Sequence, residues 1–220
     1  MKRIALFILP LLALVGCKDS DIEVNDTPAQ RFVGIMTEAY GNISFTRGAE
    51  QTIRISGPSK MVKKLSWNVS DTTLIIKTSQ NNVGNVNADE VHIHITAPDL
   101  SRVVLSGAGS FTSTGLTIDH NLFMRLDGAA KVILTDLQCH DLTIRSSGVG
   151  DITGVNLQCE NADVQISGVG HANINVVCSN LLTLMLDGVG SITATGSTQE
   201  LNKSGDGLGN INTKGLNVAK

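Results

Sequence analysis

"IRSSGVGDITG" (144–154), "QISGVGHANI" (165–174) and "MLDGVGSITA" (185–194) carry one tetrapeptide, Ser/Asp-Gly-Val-Gly, at near-constant intervals. Its opening glycine recurs at Gly107, Gly128, Gly148, Gly168, Gly188 and Gly207, with spacings of 21, 20, 20, 20 and 19 residues. Self-similarity at a fixed short period marks a stack of equivalent units, each of which buries its apolar face only against its neighbours.

The flanks of the motif say what the unit is made of. Six, four and two residues before the glycine stand Leu122, Met124 and Leu126, then Leu142, Ile144 and Ser146, then Ala162, Val164 and Ile166, then Leu182, Leu184 and Leu186. Strict alternation of this kind belongs to a strand with one buried face. Four residues after the glycine, apolar side chains recur at Phe111, Val132, Ile152, Ala172, Ile192 and Ile211. No 3.6-residue stripe persists for three turns, so helices are not expected.

Twenty residues of extended chain span roughly 65 Å, too little for a βαβ crossover with a full helix and enough for one turn of a solenoid. The expected fold is therefore all-β: a single-stranded, right-handed parallel β-helix with rungs of about 20 residues, the hand being the default for parallel crossovers. In this reading the motif is the corner of each rung. Its glycines supply the positive φ of a sharp turn, while the intervening Val or Ala points inward.

The first residues are an address. Lys2 and Arg3 precede the apolar run "IALFILPLLALVG", too short for a comfortable bilayer span, and Cys17 follows it. "LVGC" at 14–17 resembles the lipobox of bacterial lipoproteins. That resemblance implies a signal peptide at 1–16, acylation of Cys17 and, with Lys18 next to it, an outer-membrane destination on either its periplasmic or its surface face. Several acyl chains hold a protein to a membrane far more firmly than one. Residues 17–30, polar and containing Pro28, read as a lipid-anchored tether, and 31–220 as the β-helix domain.

Without Lys2 and Arg3 the chain has 15 basic residues against 20 acidic ones, and aromatic residues make up 3%. An acidic surface without stacking aromatics excludes nucleic acid as an expected partner. No phosphate-binding loop, nucleophile elbow or paired Cys-x-x-Cys appears, so no cofactor and no catalytic residue is assigned.

Four features carry candidate chemistry. His92 and His94 alternate with Val91, Ile93 and Ile95 and should share an outward face, but no third ligand for a metal is evident. Arg125 and Arg145 share an outward phase on adjacent rungs, open to an anionic ligand or to pairing with Asp163 and Gln165. The residue before each corner glycine is Ser106, Asp127, Ser147, Ser167, Asp187 or Asp206. Stacked Asp187 and Asp206 could attract a cation, but capping of backbone N–H groups at the corner explains all six positions and is preferred. Cys139 and Cys159 occupy one phase and should stack, as a thiol ladder or a disulfide, while Cys178 is one residue out of phase and is not expected to join them. His120, His140 and His171 are expected to sit apart.

"VSDTTLIIKT" (69–78), "VHIHITAPDLSRVVLSGAGSF" (91–111) and the "SGVGDI"-type rungs together resemble the head GIN domain family, named for autotransporter adhesins; "YGNISF" (40–45) resembles a degenerate earlier rung. The resemblance covers about residues 35–215 and implies a right-handed β-helix in a bacterial envelope protein. The expected function is a non-enzymatic adhesion or ligand-binding module for a glycan or an envelope protein. The alternatives are a structural or accessory envelope protein and, less favoured, a polysaccharide-active β-helix enzyme.

Overall fold

The computed structural model describes residues 21–28, 30–79 and 87–219. The signal-like segment and Cys17 lie outside them. The chain is a β-solenoid of about six turns with rungs of about 20 residues. Its regular part runs through β8 (Arg102–Leu105), β9 (Ala108–Thr114), β10 (Leu122–Leu126), β11 (Ala129–Gln138), β12 (Asp141–Ser146), β13 (Val149–Ile166), β14 (Val169–Leu186), β15 (Val189–Thr198), β16 (Glu200–Ser204) and β17 (Leu208–Val218). Every ladder there is parallel and mostly in register at 20-residue offsets, for example Ile144↔Val164 and Ile152↔Ala172. Equivalent side chains therefore pile up inside. Leu122, Met124, Leu142, Ile144, Val164, Leu182, Leu184, Phe111, Val132 and Ile152 are all buried, as the alternation requires. Ile211, on the last rung, is partly buried.

The amino-terminal part is wound out of sequence order. β2 (Gly34–Glu38) pairs in parallel with both β6 (Thr73–Thr78) and β8, and β3 (Tyr40–Arg47) with both β7 (His92–Ala97) and β9. The rung that contains "YGNISF" thus sits between two rungs that come later in the chain, with Tyr40 opposite Ala108.

Beyond β6 and β7 the parallel pattern stops, a departure from the all-parallel expectation. β5 (Leu65–Ser70) pairs antiparallel with β6, β4 (Thr52–Pro58) antiparallel with β7, and β1 (Asp21–Asp26) antiparallel with β4. These strands and the short helix α1 (Ser59–Val62) cover an end whose apolar rows and unpaired edges would otherwise face water. Tyr40, buried there, donates its hydroxyl to the Met61 carbonyl (3.0 Å). Residues 21–26, read from sequence as tether, are strand β1.

The corners overturn two expectations. Alternation runs straight through the motif without a phase change, so the glycines fall on the inward parity and Val149, Val169, Val189 and Leu208 point outward, 59, 50, 47 and 76% exposed. The expected positive φ falls only on the closing glycines, with Gly109, Gly150 and Gly190 at 143, 159 and 148°; the opening glycines are not left-handed, and their necessity is steric. A Cβ on Gly148 would lie 2.1 Å from the carbonyl oxygen of Gly128, and one on Gly188 1.8 Å from that of Gly168. The rungs touch backbone to backbone at this corner, which only glycine allows.

A second corner, eight residues after the motif glycine, does use the left-handed region. Gly115, Asp136 and Asn156 have φ of 69, 53 and 53°. These are the residue types that tolerate it, and Asn156 donates to Asp136 Oδ1 across the rungs (2.9 Å). Val176 occupies the slot in β14 and takes the extended course. The register there shifts by one between Gly154 and Leu157 and recovers between Cys159 and Asn161.

Candidate functional site

The four side chains singled out from sequence fall into two separate groups. Arg125 and Arg145 lie opposite each other on β10 and β12, before the glycine corner. His92 and His94 lie on β7, in the stack of strands after it, where β3 and β9 also run. Both arginines are engaged. Arg125 Nε donates to Asp127 Oδ2 (2.7 Å), and Arg145 bonds Asp163 Oδ2 (2.7 Å) and Gln165 Oε1. These are half-exposed ion pairs that hold neighbouring positions. His94 shares hydrogen bonds with Ser44 Oγ (2.9 Å) and Thr96 Oγ1 (3.5 Å). Among the described residues no three His, Cys, Asp or Glu side chains group as metal ligands.

Corner capping is corrected as well. The corner N–H groups are already bonded to the rung below: Ser147 and Gly148 N–H both donate to the Leu126 carbonyl (2.9 and 3.1 Å). The Ser/Asp side chains instead link rungs to one another, with Ser147 Oγ donating to Asp127 Oδ1 (2.9 Å) and Gln165 Nε2 to Asp187 Oδ2 (3.4 Å).

A groove of about 650 Å³ opens on the side of the solenoid past the second corner. Its wall is a row of in-register outward side chains, Thr117, Gln138, Gln158 and Val177, joined by Arg47, Asp119, His140, Glu160 and Ser179. Each glutamine amide offers two donors and an acceptor. Arg47 is fixed by donating to the carbonyls of Pro98 (2.9 Å) and Thr117 (2.6 Å).

Two of the histidines expected to lie apart fall on neighbouring rungs beside this groove, each ring turned to its own carboxylate. His120 and His140 occupy the same phase of successive rungs, eight residues before their glycines, and His140 N–H donates to the His120 carbonyl (3.1 Å). His120 Nε2 contacts Asp99 Oδ1 at 2.6 Å, and His140 Nδ1 lies 3.8 Å from Glu160 Oε1. Burial pulls the His120 pKa down, but its bonds to the Asn121 carbonyl and to Asp99, with the charges of Asp99 and Asp119, outweigh that and hold it above the ordinary imidazole value. The signal that could have found the groove was the shared offset of His120 and His140 together with the repeated Gln-Cys of 138–139 and 158–159.

Under the groove the thiol ladder is longer than the sequence phase implied. The register shift at Asn156 brings Cys178 opposite Cys159, with their sulfurs 3.7 Å apart. Cys139 lies on the preceding rung, its N–H bonded to the Gln158 carbonyl. All three are buried and free. Burial, then the charge of Asp141, push the Cys139 thiol up to about 12.

Residues 31–215 match the family model described as "Putative auto-transporter adhesin, head GIN domain". The chain belongs to this family. Among solved structures, the head GIN domain here is similar to a "putative adhesin" from Bacteroides fragilis, with TM-score 0.72 and 22% identity over 91% of this chain and 98% of that one. A "putative adhesin" from Parabacteroides distasonis aligns with TM-score 0.56 and 13% identity over 87% and 97% of the two chains. At these identities the likeness is one of fold. No match was found among curated proteins. The family match extends across both the out-of-order rungs and the regular ones, and takes in β4, α1 and β5 of the amino-terminal cap but not β1.

Proposed function

We propose that this head GIN domain is a non-enzymatic adhesion or ligand-binding module of the bacterial envelope that takes a polar ligand, a glycan chain, in the groove around Gln138 and Gln158. The observation that carries the reading is the row of amide, hydroxyl and charged side chains held at fixed rung spacing along a groove of about 650 Å³. Stacked amides on a rigid ladder present repeated donors and acceptors, which suits a ligand that itself repeats hydroxyl groups. The adhesin-like family supports the same reading.

Acylation at Cys17 belongs to this proposal. Only residues 18–20 separate Cys17 from β1, so a lipid there would hold the capped end of the solenoid close to an outer-membrane leaflet and leave the regular rungs to project. Cys17→Ala should release the protein from membranes on fractionation, and retention equal to wild type would remove the anchor from the proposal.

The binding test is a glycan array run with the purified chain, beside crosslinking in native membranes. A saturable glycan signal that drops at least about tenfold in the Gln138→Ala/Gln158→Ala double variant supports the groove, since the loss of two hydrogen-bonding groups is worth about 1.4 kcal/mol or more. A single crosslinked protein partner with no glycan signal would favour an accessory envelope role. Release of new sugar ends from a polysaccharide would favour the enzyme.

A further inference from the structure

We propose that Cys159 and Cys178 are a disulfide-forming pair that joins two successive rungs beneath the groove. The evidence is geometric. The two residues are direct register partners in adjacent parallel strands, and their sulfurs are 3.7 Å apart in the reduced protein. In-register neighbours of a parallel ladder lie about 4.8 Å apart, inside the range of Cα separations that a disulfide spans, so rotation about the side chains is enough to close the bond. The register shift that creates the pair comes from one residue: Val176 replaces the left-handed corner residue, the rung loses its bulge, and Cys178 moves one position onto Cys159.

The site has a direction of access. Cys159 lines the groove floor, whereas Cys178 is set deeper. The two sulfurs share one S–H···S contact that either can donate; this contact holds the Cys178 thiol below its ordinary value, while the same contact and then burial push that of Cys159 up. The oxidant is a disulfide, small or protein-borne, that reaches the groove. Cys159 opens it as its proton passes to Cys178 Sγ 3.7 Å away, forming a mixed disulfide and releasing one thiolate, which takes that proton on and leaves as a thiol. Cys178 thiolate then attacks Cys159 Sγ and expels the second thiol. Two cysteine thiols and one external disulfide become one internal disulfide and two external thiols, with electrons conserved. Cys139 also borders the groove, but the sulfur–sulfur contact joins Cys159 to Cys178, so Cys139 stays outside the exchange.

The test uses the full chain carrying Cys17→Ala, which leaves three cysteines, incubated with oxidised glutathione, quenched in acid, alkylated in denaturant and mapped unreduced by mass spectrometry. The expected result is a fall from three alkylatable thiols to one, with the Cys159 and Cys178 peptides linked and Cys139 alkylated. Cys139→Ser should leave the link intact. Cys178→Ser should trap glutathione on Cys159, a readout that does not depend on the internal bond. Oxidation should also raise the melting temperature in a way that dithiothreitol reverses. Three alkylated thiols after oxidation, a link between Cys139 and Cys159, or a link that forms only between chains would overturn the proposal.

Discussion

A methyl group on Gly168 would sit 1.9 Å from the carbonyl oxygen of Gly148. That distance is under any permitted contact, and the obstacle is backbone, which cannot rotate away. The corner therefore selects for the absence of a side chain. Gly168→Ala should already be severe, destabilising by about 3 kcal/mol or more, toward the upper end for overpacked sites. In thermal unfolding this is a drop of about 6–12 °C for a domain of this size. The neighbouring Val169, half exposed, is the control. Val169→Thr should change stability by no more than about 0.5 kcal/mol. A mild Gly168→Ala beside a severe Val169→Thr would mean that the valine, not the glycine, faces the interior.

The second corner obeys the opposite rule. Asn156 sits at φ 53°, so Asn156→Val should cost about 1–2 kcal/mol from left-handed strain. Asn156→Gly should be close to neutral, because backbone freedom offsets the lost bond to Asp136. Chemical denaturation curves for the two variants would resolve the difference. Equal losses would place the cost in the side-chain bond.

His120 predicts a pH dependence. Its folded-state pKa lies above the 6.5 of a free imidazole, chiefly through Asn121 and Asp99 acting against desolvation. A raised pKa means the folded state holds the proton more tightly than the unfolded chain. The stabilisation is fully present below about pH 6.5 and fades as pH rises through the folded value. The group is a third exposed, so the effect should stay below about 1 kcal/mol. Melting temperatures of wild type and His120→Gln should converge from pH 5.5 towards pH 8, and a gap that widens with pH would reverse the assignment.

The Arg145–Asp163 pair should matter little on its own. Its side chains are 45% and 34% exposed. Arg145→Ala should cost under about 1 kcal/mol, and less in high salt. If binding to an acidic glycan were lost with that variant while stability held, the binding surface would lie on the arginine face and not in the groove.

The repeat was legible in the sequence because the hydrophobic alternation and the glycine spacing both report one thing, the rung. Leu122, Ile144, Val164 and Leu184 were placed inward correctly for that reason. What the alternation does not reveal is parity at the corner: it runs on through the turn without a phase change, so the motif valines expected inside face outward. The second corner left its own signal at Gly115, Asp136, Asn156 and Gly196, a column of turn-tolerant residues. Once Val176 is seen as the exception in that column, the one-residue offset of Cys178 becomes a register shift. The groove was invisible because it is assembled by stacking. His120 with His140 and Gln138 with Gln158 look unrelated until the 20-residue offset places them side by side. The winding order of the amino-terminal rungs has no local signal: "YGNISF" resembles a rung, but its pairing with β9 depends on residues 68 positions apart.

That arrangement bears on how the chain is built. A rung such as the one closing on β17 meets its neighbour about 20 residues back, so each late turn can be laid on a finished template, like a course of bricks. β2 and β3 have no template when they emerge. Both of their ladder partners, β6 with β7 on one side and β8 with β9 on the other, lie downstream in the chain. The founding block therefore assembles only when most of residues 34–114 are present together, a long-range and slow event, whereas everything after it is addition. Stripping rungs from the carboxy-terminal side should shorten the solenoid gradually; cutting into β8 or β9 should remove the foundation.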